Sequence, residues 1–330
     1  MKKVVVLGGG TGTYTVLSGI RDYPFHISAL LTMADDGGSN KVLRDEFGLL
    51  PTSGVRQALV ALSTKRSLLR KLFMYRFNKG SGISGMTFGN LFLAAVADIV
   101  SSQEKAIEQT AELLSVKGDI LPISYEHIRL VARLENGLEI VGEHEIDEPK
   151  HDGKLRIVKF STKPKAKIHE KARNALLKAD YIIIGPGDFY TNTVSNLVID
   201  GVVNAIKKSK AKVIFIGNLM TKYGETYNYK YSDFLNDLRQ YIPNARIDMI
   251  VVNSDTKYPK FALKKYEEEN AIPVKDDLDT YKLKPSVKII RTPLLSRKVL
   301  EEEEGDTLKR SILRHDSKKI GEAIGKIVFG

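Results

Sequence analysis

Two glycine-rich turns that carry polar side chains stand near the start of this sequence. Each follows an apolar run: residues 4–7 lead into GGGTGT at 8–13, and residues 27–33 lead into ADDGGS at 34–39. Glycine has no Cβ, so backbone N–H groups in such turns can approach an anion closely. A helix that begins in the turn adds about half a positive charge at its N-terminus. The first turn is therefore predicted to bind phosphate groups.

Two adjacent carboxylates, Asp35 and Asp36, lie inside the second turn. Carboxylates bind Mg²⁺ together with the phosphate oxygens of a ligand. They could equally accept hydrogen bonds from ribose hydroxyls, or one could act as a general base. Capping the helix that follows would need only one acidic residue. Asp35 and Asp36 are thus the candidate catalytic and metal-binding residues. Mg²⁺ is the candidate cofactor, although the residues require none.

Other segments that end apolar runs also carry groups suited to a nucleotide. The guanidinium group of arginine matches a diphosphate, and asparagine can bind a base edge or a sugar, although turns favour asparagine too. Two further glycine-rich loops, at residues 82–90 and 185–192, each open a helical pattern. The predicted nucleotide-binding residues are Gly9, Gly10, Thr11, Gly12, Thr13, Gly37, Gly38, Ser39, Arg44, Arg56, Asn90, Gly185, Pro186, Gly187, Asn218 and Asn253.

The turns do not match the common nucleotide-binding signatures. Counted from Gly8, the third glycine of the dinucleotide fingerprint would fall at Thr13, and the sequence contains no Gly-Lys-Ser/Thr triplet. These departures disfavour ordinary NAD binding and ATP hydrolysis. The sequence has no cysteine, which excludes thiolate catalysis and cysteine-ligated zinc. It also lacks the Gly-x-Ser-x-Gly elbow, which disfavours a serine hydrolase.

Composition predicts a water-soluble α/β protein of the cytoplasm. The 330 residues are 42% hydrophobic and 28% charged, with a net charge of +11. Lysines are spread along the chain, so we expect no nucleic-acid partner, and the basic excess suits a small anionic ligand. No apolar stretch approaches the roughly 20 residues that span a bilayer, so no transmembrane segment is expected. The N-terminus shows no signal-peptide pattern.

Short Val- and Ile-rich runs alternate with helical patterns, which favours a parallel sheet with helices on both faces. We therefore predict a Rossmann-like α/β fold. Strands are predicted at 4–7, 27–33, 181–184, 213–216, 247–252 and 287–290. Helices are predicted at 54–63, 68–77, 88–100, 104–116, 170–178, 196–208, 234–241 and 308–328.

Residues 119–160 break this alternation. Segments 130–134, 138–141 and 155–160 resemble antiparallel strands, and Glu-Asn-Gly at 135–137 is typical of a hairpin turn. We predict a small β-rich insertion or a sheet extension here, within a single domain that covers residues 1–330.

Several of these segments together resemble one family of bacterial proteins. They are GGGTG at 8–12, ADDGGS at 34–39, VRQAL at 55–59, FGNLF at 88–92 and GPG at 185–187. The chain is similar over nearly its whole length to the gluconeogenesis-factor (YvcK-like) family. That family is related to the 2-phospho-L-lactate transferases (CofD-like) of deazaflavin coenzyme synthesis.

The resemblance implies a Rossmann-like cytoplasmic protein. Members of the bacterial branch bind UDP-sugars, notably UDP-N-acetylglucosamine, and are linked to cell shape, cell-wall precursor supply and gluconeogenic growth. The transferase branch moves a phospholactyl group with the help of Mg²⁺. By motif, Gly10–Gly12 would face phosphates, whereas Asp35 and Asp36 would lie at the sugar, metal or acceptor end. Asn90 and Gly185–Gly187 would frame the nucleotide.

Two positions depart from the family pattern. Pro-Thr-Ser-Gly at 51–54 stands where the family usually has Pro-Pro-Gly-Asp, and Met-Thr at 86–87 stands where it has His-Ser. Loss of an acid and a histidine weakens the expectation of catalysis. Backbone amides still bind an anion after side chains change, so the expectation of binding is affected less.

Three functions are consistent with these residues. The first hypothesis is a nucleotide-sugar-binding regulatory protein without turnover, which acts through an unidentified protein partner. The alternative is a 2-phospho-L-lactate transferase-like enzyme that takes a phosphate-linked group from a nucleoside-diphosphate donor. The third is an interaction scaffold with an empty cleft. A homodimer is the default expectation for any of them.

Overall fold

The computed structural model describes residues 1–64, 68–243, 247–281, 287–297 and 311–330. The strands are β1 Lys2–Gly8, β2 Phe25–Leu31, β3 Asp119–Pro122, β4 Arg129–Leu134, β5 Glu139–Val141, β6 Ile157–Lys163, β7 Tyr181–Ile184, β8 Lys212–Ile216, β9 Met249–Asn253 and β10 Lys288–Thr292. The helices are α1 Gly10–Ile20, α2 Gly38–Phe47, α3 Ser53–Leu62, α4 Leu68–Met74, α5 Phe88–Val100, α6 Gln103–Leu113, α7 Glu143–Asp147, α8 Glu170–Lys178, α9 Ser195–Leu197, α10 Val202–Lys208, α11 Tyr231–Tyr241, α12 Lys260–Glu268 and α13 Ser317–Phe329, and a π-helical turn covers Phe189–Val194.

Seven parallel strands form the main sheet in the order β3-β2-β1-β7-β8-β9-β10. Its central strands are apolar on both faces because helices cover both. In β1, Val4 and Val6 pack into one hydrophobic core while Val5 and Leu7 pack into the other. The predicted Rossmann-like α/β architecture is confirmed.

The strand order reverses direction between β1 and β7. From β1 the chain proceeds outward through β2 to the edge strand β3, and from β7 it proceeds the other way through β8. Leu7 is paired with Ile184, so the turns that begin at Gly8 and Gly185 leave the sheet side by side. Such a switch point opens a crevice at the carboxyl ends of the strands, where open α/β sheets bind ligands.

A small antiparallel sheet, in the order β5-β4-β6, confirms the predicted β insertion. Gly137 forms the hairpin turn with φ 89°, and its N–H donates to Leu134 O at 2.9 Å. The predicted bounds of 119–160 need correction, because β3 pairs with β2 in the main sheet and β6 runs on to Lys163. The single-domain organisation stays a prediction.

The helix predictions hold except at three points. The predicted helix 196–208 is broken at Gly201, whose φ is +96°. The final predicted helix begins only at Ser317, where Asp316 caps it, and residues 308–310 lie outside the described part of the chain. Helices α7 and α12 were not predicted. Within the described residues, no helix is long and apolar enough to cross a membrane.

Candidate functional site

The turns that follow β1 and β7 pack directly against each other at the switch point. A Cβ at Gly9 would lie 2.4 Å from Asn192 Oδ1, and a Cβ at Gly12 would lie 2.2 Å from Pro186 O. A Cβ at Gly187 would lie 3.3 Å from Gly9 O. These glycines are therefore required for the close approach of the two turns, which is a structural reason independent of any ligand.

Helix α1 begins in the first turn and leaves its N-terminal amides without a side-chain cap within the described residues. Gly9 is the N-cap residue, and Gly10 has φ +61°, a conformation that glycine adopts readily. Thr11 is in the first helical turn, whereas Thr13 is buried with its hydroxyl under Gly8. Uncapped amides and the helix dipole favour an anion at this end of α1.

Helix α2 repeats this arrangement at the end of the neighbouring strand β2. Its N-cap residue is Gly37, and its first turn contains Gly38 and Ser39 without a side-chain cap in the described structure. The Ser39 side chain lies outside the described part of the chain. The structure thus places two uncapped helix N-termini after adjacent strands of the sheet.

Asparagine side chains hold the turn after β7 in place. Asn218 Nδ2 donates to Gly187 O at 2.8 Å, Asn196 Nδ2 donates to Gly8 O at 3.3 Å, and Asn192 Nδ2 donates to Asp188 Oδ2 at 3.2 Å. Asn218, predicted to bind nucleotide, therefore orients the loop Gly185–Gly187.

His315 supports the same region from the C-terminal segment. Its Nε2 lies 3.1 Å from Gly217 O, next to Asn218. Burial lowers the pKa of His315 to about 4, so the ring is neutral at pH 7 and carries its proton on Nε2 to donate this bond. His315 was not among the site residues predicted from the sequence.

Asp35 is fixed by two hydrogen bonds at the end of β2. Gly37 N–H donates to its Oδ1 at 3.0 Å, and Asn40 Nδ2 donates to its Oδ2 at 2.6 Å. Burial raises the pKa of Asp35 to about 6, with a smaller contribution from Asp36. A carboxyl group with a pKa near neutrality suits proton transfer or a hydrogen bond to a sugar hydroxyl.

Asp36 connects the main sheet to the β insertion. His144 N–H, in α7, donates to Asp36 Oδ1 at 2.9 Å, and Arg129 Nε of β4 lies 3.8 Å from Oδ2. The two adjacent carboxylates therefore have different partners. Because His144 belongs to α7, its hydrogen bond to Asp36 places α7, which contains Glu143 and Asp147, next to the turn after β2.

Three acidic side chains, those of Asp147, Asp188 and Glu225, form an acidic group beside the turn after β7. Single carboxylate oxygens of Asp147, Asp188 and Glu225 all lie within 4.8 Å of one another. Lys222 Nζ is paired with all three, at 3.1 Å from Asp188 Oδ2 and 3.7 Å from Glu225 Oε1 and closer still to Asp147 Oδ1. None of these four residues was predicted as a site residue. Three of them could have been noticed in the sequence. Asp188 follows GPG at 185–187, and Lys222 and Glu225 lie in the polar segment 217–226 that follows β8.

Arg56 and Asn90 form a buried network behind Asp35. Arg56 is 4% exposed and Asn90 is 1% exposed, and Arg56 Nε donates to Asn90 Oδ1 at 2.9 Å. Asn90 Nδ2 lies 3.3 Å from Ser53 Oγ, which also accepts a hydrogen bond from Asn40 at 2.8 Å. Because Asn40 bonds to Asp35, both predicted residues reach the site through this network, which positions Asp35.

Arg44 and Asn253 make local contacts. Arg44 Nε donates to Asp45 Oδ1 at 3.0 Å. Asn253 ends β9, where its Oδ1 accepts a hydrogen bond from Leu294 N–H at 2.8 Å and its Nδ2 lies 3.0 Å from Tyr258 Oη. These contacts link Asn253 to loops around the end of β9. They do not bring Asn253 to the glycine turns, and its nucleotide contact stays a prediction.

Comparisons with known proteins agree with this architecture. The family model "2-phospho-L-lactate transferase CofD" matches residues 4–295. Gluconeogenesis factors from Halalkalibacterium halodurans and Bacillus subtilis are 39% and 34% identical to the chain over 98% of its length, and 95% and 96% of their own lengths are covered.

The fold matches a solved structure equally well. The crystal structure of protein BH3568 from Bacillus halodurans has a TM-score of 0.88 and 36% identity, with 98% of this chain and 99% of that chain covered. Sequence and structure therefore agree over nearly the whole length. The chain belongs to the gluconeogenesis-factor family, within the wider family described by the CofD transferases.

Proposed function

We propose that this protein binds a nucleoside-diphosphate sugar of the UDP-N-acetylglucosamine type at the β1–β7 switch point. The observation that carries the proposal is the uncapped N-terminus of α1 beside the loop Gly185–Gly187. A diphosphate matches this end of the helix, because amides and dipole both favour negative charge. Membership of the gluconeogenesis-factor family agrees with a regulatory protein.

The polar groups around α1 suit the two ends of such a ligand. Asp35, at the end of β2, offers carboxylate oxygens to sugar hydroxyls, and the N-terminus of α2 provides a second set of amides. Asn218 lies on the opposite side, next to Gly187. With phosphates at α1, the sugar would extend toward Asp35 and Asp36, as the family resemblance implies.

We further propose that the protein, once it has bound its nucleotide sugar, acts through a protein partner in cell-wall precursor supply, cell shape and gluconeogenic growth. This role comes from the family resemblance, and the departures from the family pattern at 51–54 and 86–87 weigh against turnover. In the structure Ser53 and Asn90 occupy that region, and they bond to each other and to Asn40. A cytoplasmic location and a homodimer stay predictions.

One observation favours the transferase as a second candidate. The carboxylates of Asp147, Asp188 and Glu225 lie beside the glycine turns and have a spacing that could hold Mg²⁺. A metal ion bound there would polarise a phosphoryl oxygen of a donor. Asp35, whose pKa is raised to about 6, could then remove a proton from an acceptor hydroxyl.

Thermal unfolding against a ligand panel tests these functions. The panel is UDP-N-acetylglucosamine, UDP-glucose, GDP, NAD and ATP, each with and without Mg²⁺. A ligand at 100 times its dissociation constant stabilises the folded state by about 2.7 kcal/mol, which raises Tm by a few degrees. Selective stabilisation by UDP-sugars, with the sugar nucleotide recovered intact, is the expected result.

Other outcomes of the panel reject the proposal. Stabilisation by GDP only with Mg²⁺, together with product from an activated donor, would establish the transferase. An unchanged Tm with every nucleotide would contradict both candidates and leave a scaffold without this ligand.

A further inference from the structure

The acidic group around Lys222 has the composition of a cation site. One oxygen each from Asp147, Asp188 and Glu225 lies within 4.8 Å of the others, a spacing that would suit a divalent ion. Such closely spaced carboxylates repel one another unless a cation lies between them. The group lies next to the glycine turns, because Asp188 directly follows Gly187.

The Lys222 ammonium lies among these oxygens. It is paired with Asp147, Asp188 and Glu225, and an ammonium has three N–H donors for three carboxylate oxygens. Burial lowers the pKa of Lys222, but the surrounding carboxylates outweigh this effect and hold the pKa well above its ordinary value, so Lys222 is charged. Within the described residues, Lys222 is the cation that is paired with all three acids.

Local backbone structure fixes Lys222 in this position. Its N–H donates to Thr226 Oγ1 at 2.9 Å, and its carbonyl accepts hydrogen bonds from the N–H groups of Glu225 and Thr226 at 3.2 and 2.8 Å. Glu225 is held separately, since its Oε2 accepts from Tyr190 N–H at 2.6 Å and its Oε1 from Thr191 Oγ1 at 3.0 Å. The lysine and its carboxylate partners therefore form one preorganised unit.

We propose that the Lys222 ammonium takes the place of a divalent cation, so that Asp147, Asp188 and Glu225 bind no divalent metal while Lys222 is present. The repulsion among the carboxylates is then reduced by a positive charge that belongs to the chain itself. This inference concerns the metal requirement of the region and does not depend on which nucleotide binds. It also removes the observation that favours the Mg²⁺-dependent transferase, since that observation depends on an ion bound by these three carboxylates.

Titration of the ligand-free full-length protein with Mn²⁺, followed by electron paramagnetic resonance of free Mn²⁺, tests the proposal. We expect Lys222→Ala to bind one more Mn²⁺ per chain than the wild-type protein, at least about tenfold more tightly than any wild-type binding at these residues. Lys222→Arg keeps a cation there and should gain no site. Lys150→Ala removes an exposed lysine that is paired with Glu145 and serves as the matched control.

A second substitution identifies the ligands of the new site. Asp147→Asn in the Lys222→Ala background should abolish the additional Mn²⁺, since it removes one of the three carboxylates. Thermal unfolding of Lys222→Ala should show a lower Tm that Mn²⁺ restores. Mn²⁺ bound by wild-type protein and lost in Asp147→Asn would overturn the proposal. So would a Lys222→Ala protein that gains neither Mn²⁺ nor stability from it.

Discussion

Individual residues at the switch point serve the two turns in different ways. Glycines allow the turns to touch. Asn196 donates to Gly8 O of the first turn, whereas Asn192 and Asn218 donate to Asp188 and Gly187 of the second. Arg56 lies deeper, where it supports Asn90 and, through Asn40, the carboxylate of Asp35. We therefore expect direct ligand contact from backbone amides and carboxylates, which the buried polar side chains position.

Substitution of Arg56 tests this division of roles. Arg56→Ala should lower the free energy of unfolding by about 3 kcal/mol, because it removes a buried side chain and leaves Asn90 Oδ1 without this donor. Arg56→Lys should recover only part of this loss, since an ammonium lacks the planar fork of a guanidinium. Urea denaturation measures both. Unchanged stability with weaker nucleotide binding would instead favour the direct phosphate contact predicted from the sequence.

His315 predicts a pH dependence of stability. Its folded-state pKa of about 4 lies below the ordinary value of 6.5, so protonation favours the unfolded state. Its contribution is complete above pH 6.5 and is lost as the pH falls toward 4. The full shift corresponds to about 3 kcal/mol, and the partial exposure of the ring makes the loss smaller.

The control for this pH dependence is His315→Gln, which keeps a donor for Gly217 O and cannot be protonated. Denaturation at pH 4.5 and 7.5 should show a smaller loss of stability in His315→Gln than in the wild-type protein. An equal loss in both proteins would assign the pH dependence to other groups.

Sequence patterns identified the glycines but not their main structural role. The GGGTG segment and the GPG segment are visible as motifs, yet the contact of Gly12 with Pro186 joins residues far apart in the chain. The acidic group was missed for the same reason. Asp147, Asp188 and Glu225 come from three separate segments, and nothing in their local sequence indicates that they meet.

At the scale of elements, helices α1 and α13 pack closely against each other. A Cβ at Gly321 would lie 2.2 Å from Gly19 O, and one at Gly19 would lie 2.1 Å from Ser317 O. Two glycines thus let the C-terminal helix touch the backbone of the helix that forms the proposed phosphate site. The position of α1 therefore depends on the last helix of the chain.

A pair of glycine substitutions checks this packing. Gly321→Ala should destabilise the protein by about 1–3 kcal/mol, because its methyl group would overlap the backbone of α1. Gly54→Ala, in α3, has no atom within 4 Å of the added Cβ outside its own helix and should stabilise by about 0.4–1 kcal/mol. Thermal unfolding of both variants measures these changes. Similar Tm changes in the two variants would show that α13 does not pack closely on α1.

Tertiary contacts explain where the element predictions failed. The apolar pattern of 196–208 is continuous, but Gly201 adopts φ +96° and packs against Ile168, which divides the helix. Strand β3 was not predicted as a strand, and the segment 119–160 in which it lies was left as an insertion or a sheet extension, because local sequence cannot show which sheet a short strand joins. Its partner β2 is distant in sequence. Only the parallel pairing of the two strands in the structure, for example Ala29 with Ile120, shows that β3 belongs to the main sheet.

At the scale of the whole molecule, the sheet order creates the site and the insertion completes it. The order β3-β2-β1-β7-β8 places the glycine turns at the switch point between β1 and β7. The alternation of strands and helices in the sequence predicted a parallel sheet but not this strand order. The small sheet then brings α7 to Asp36 and to Lys222. Fold class could thus be predicted from pattern, whereas this convergence of distant segments could not.

The central claim is that a nucleoside-diphosphate sugar binds with its phosphates at the N-terminus of α1. Calorimetric titration of UDP-N-acetylglucosamine into wild-type, Thr11→Gln and Thr11→Glu proteins tests it most directly. Thr11 is in the first turn of α1, so a carboxylate there repels a diphosphate although it suits the helix dipole. The two substitutions are matched in size and differ in charge.

We expect the wild-type protein and Thr11→Gln to bind with dissociation constants within about threefold of each other. Thr11→Glu should bind at least about tenfold more weakly, a loss of about 1.4 kcal/mol, while its Tm without ligand is unchanged or higher. Binding of equal strength in Thr11→Glu and Thr11→Gln, or no binding by the wild-type protein, would contradict the assignment of this site.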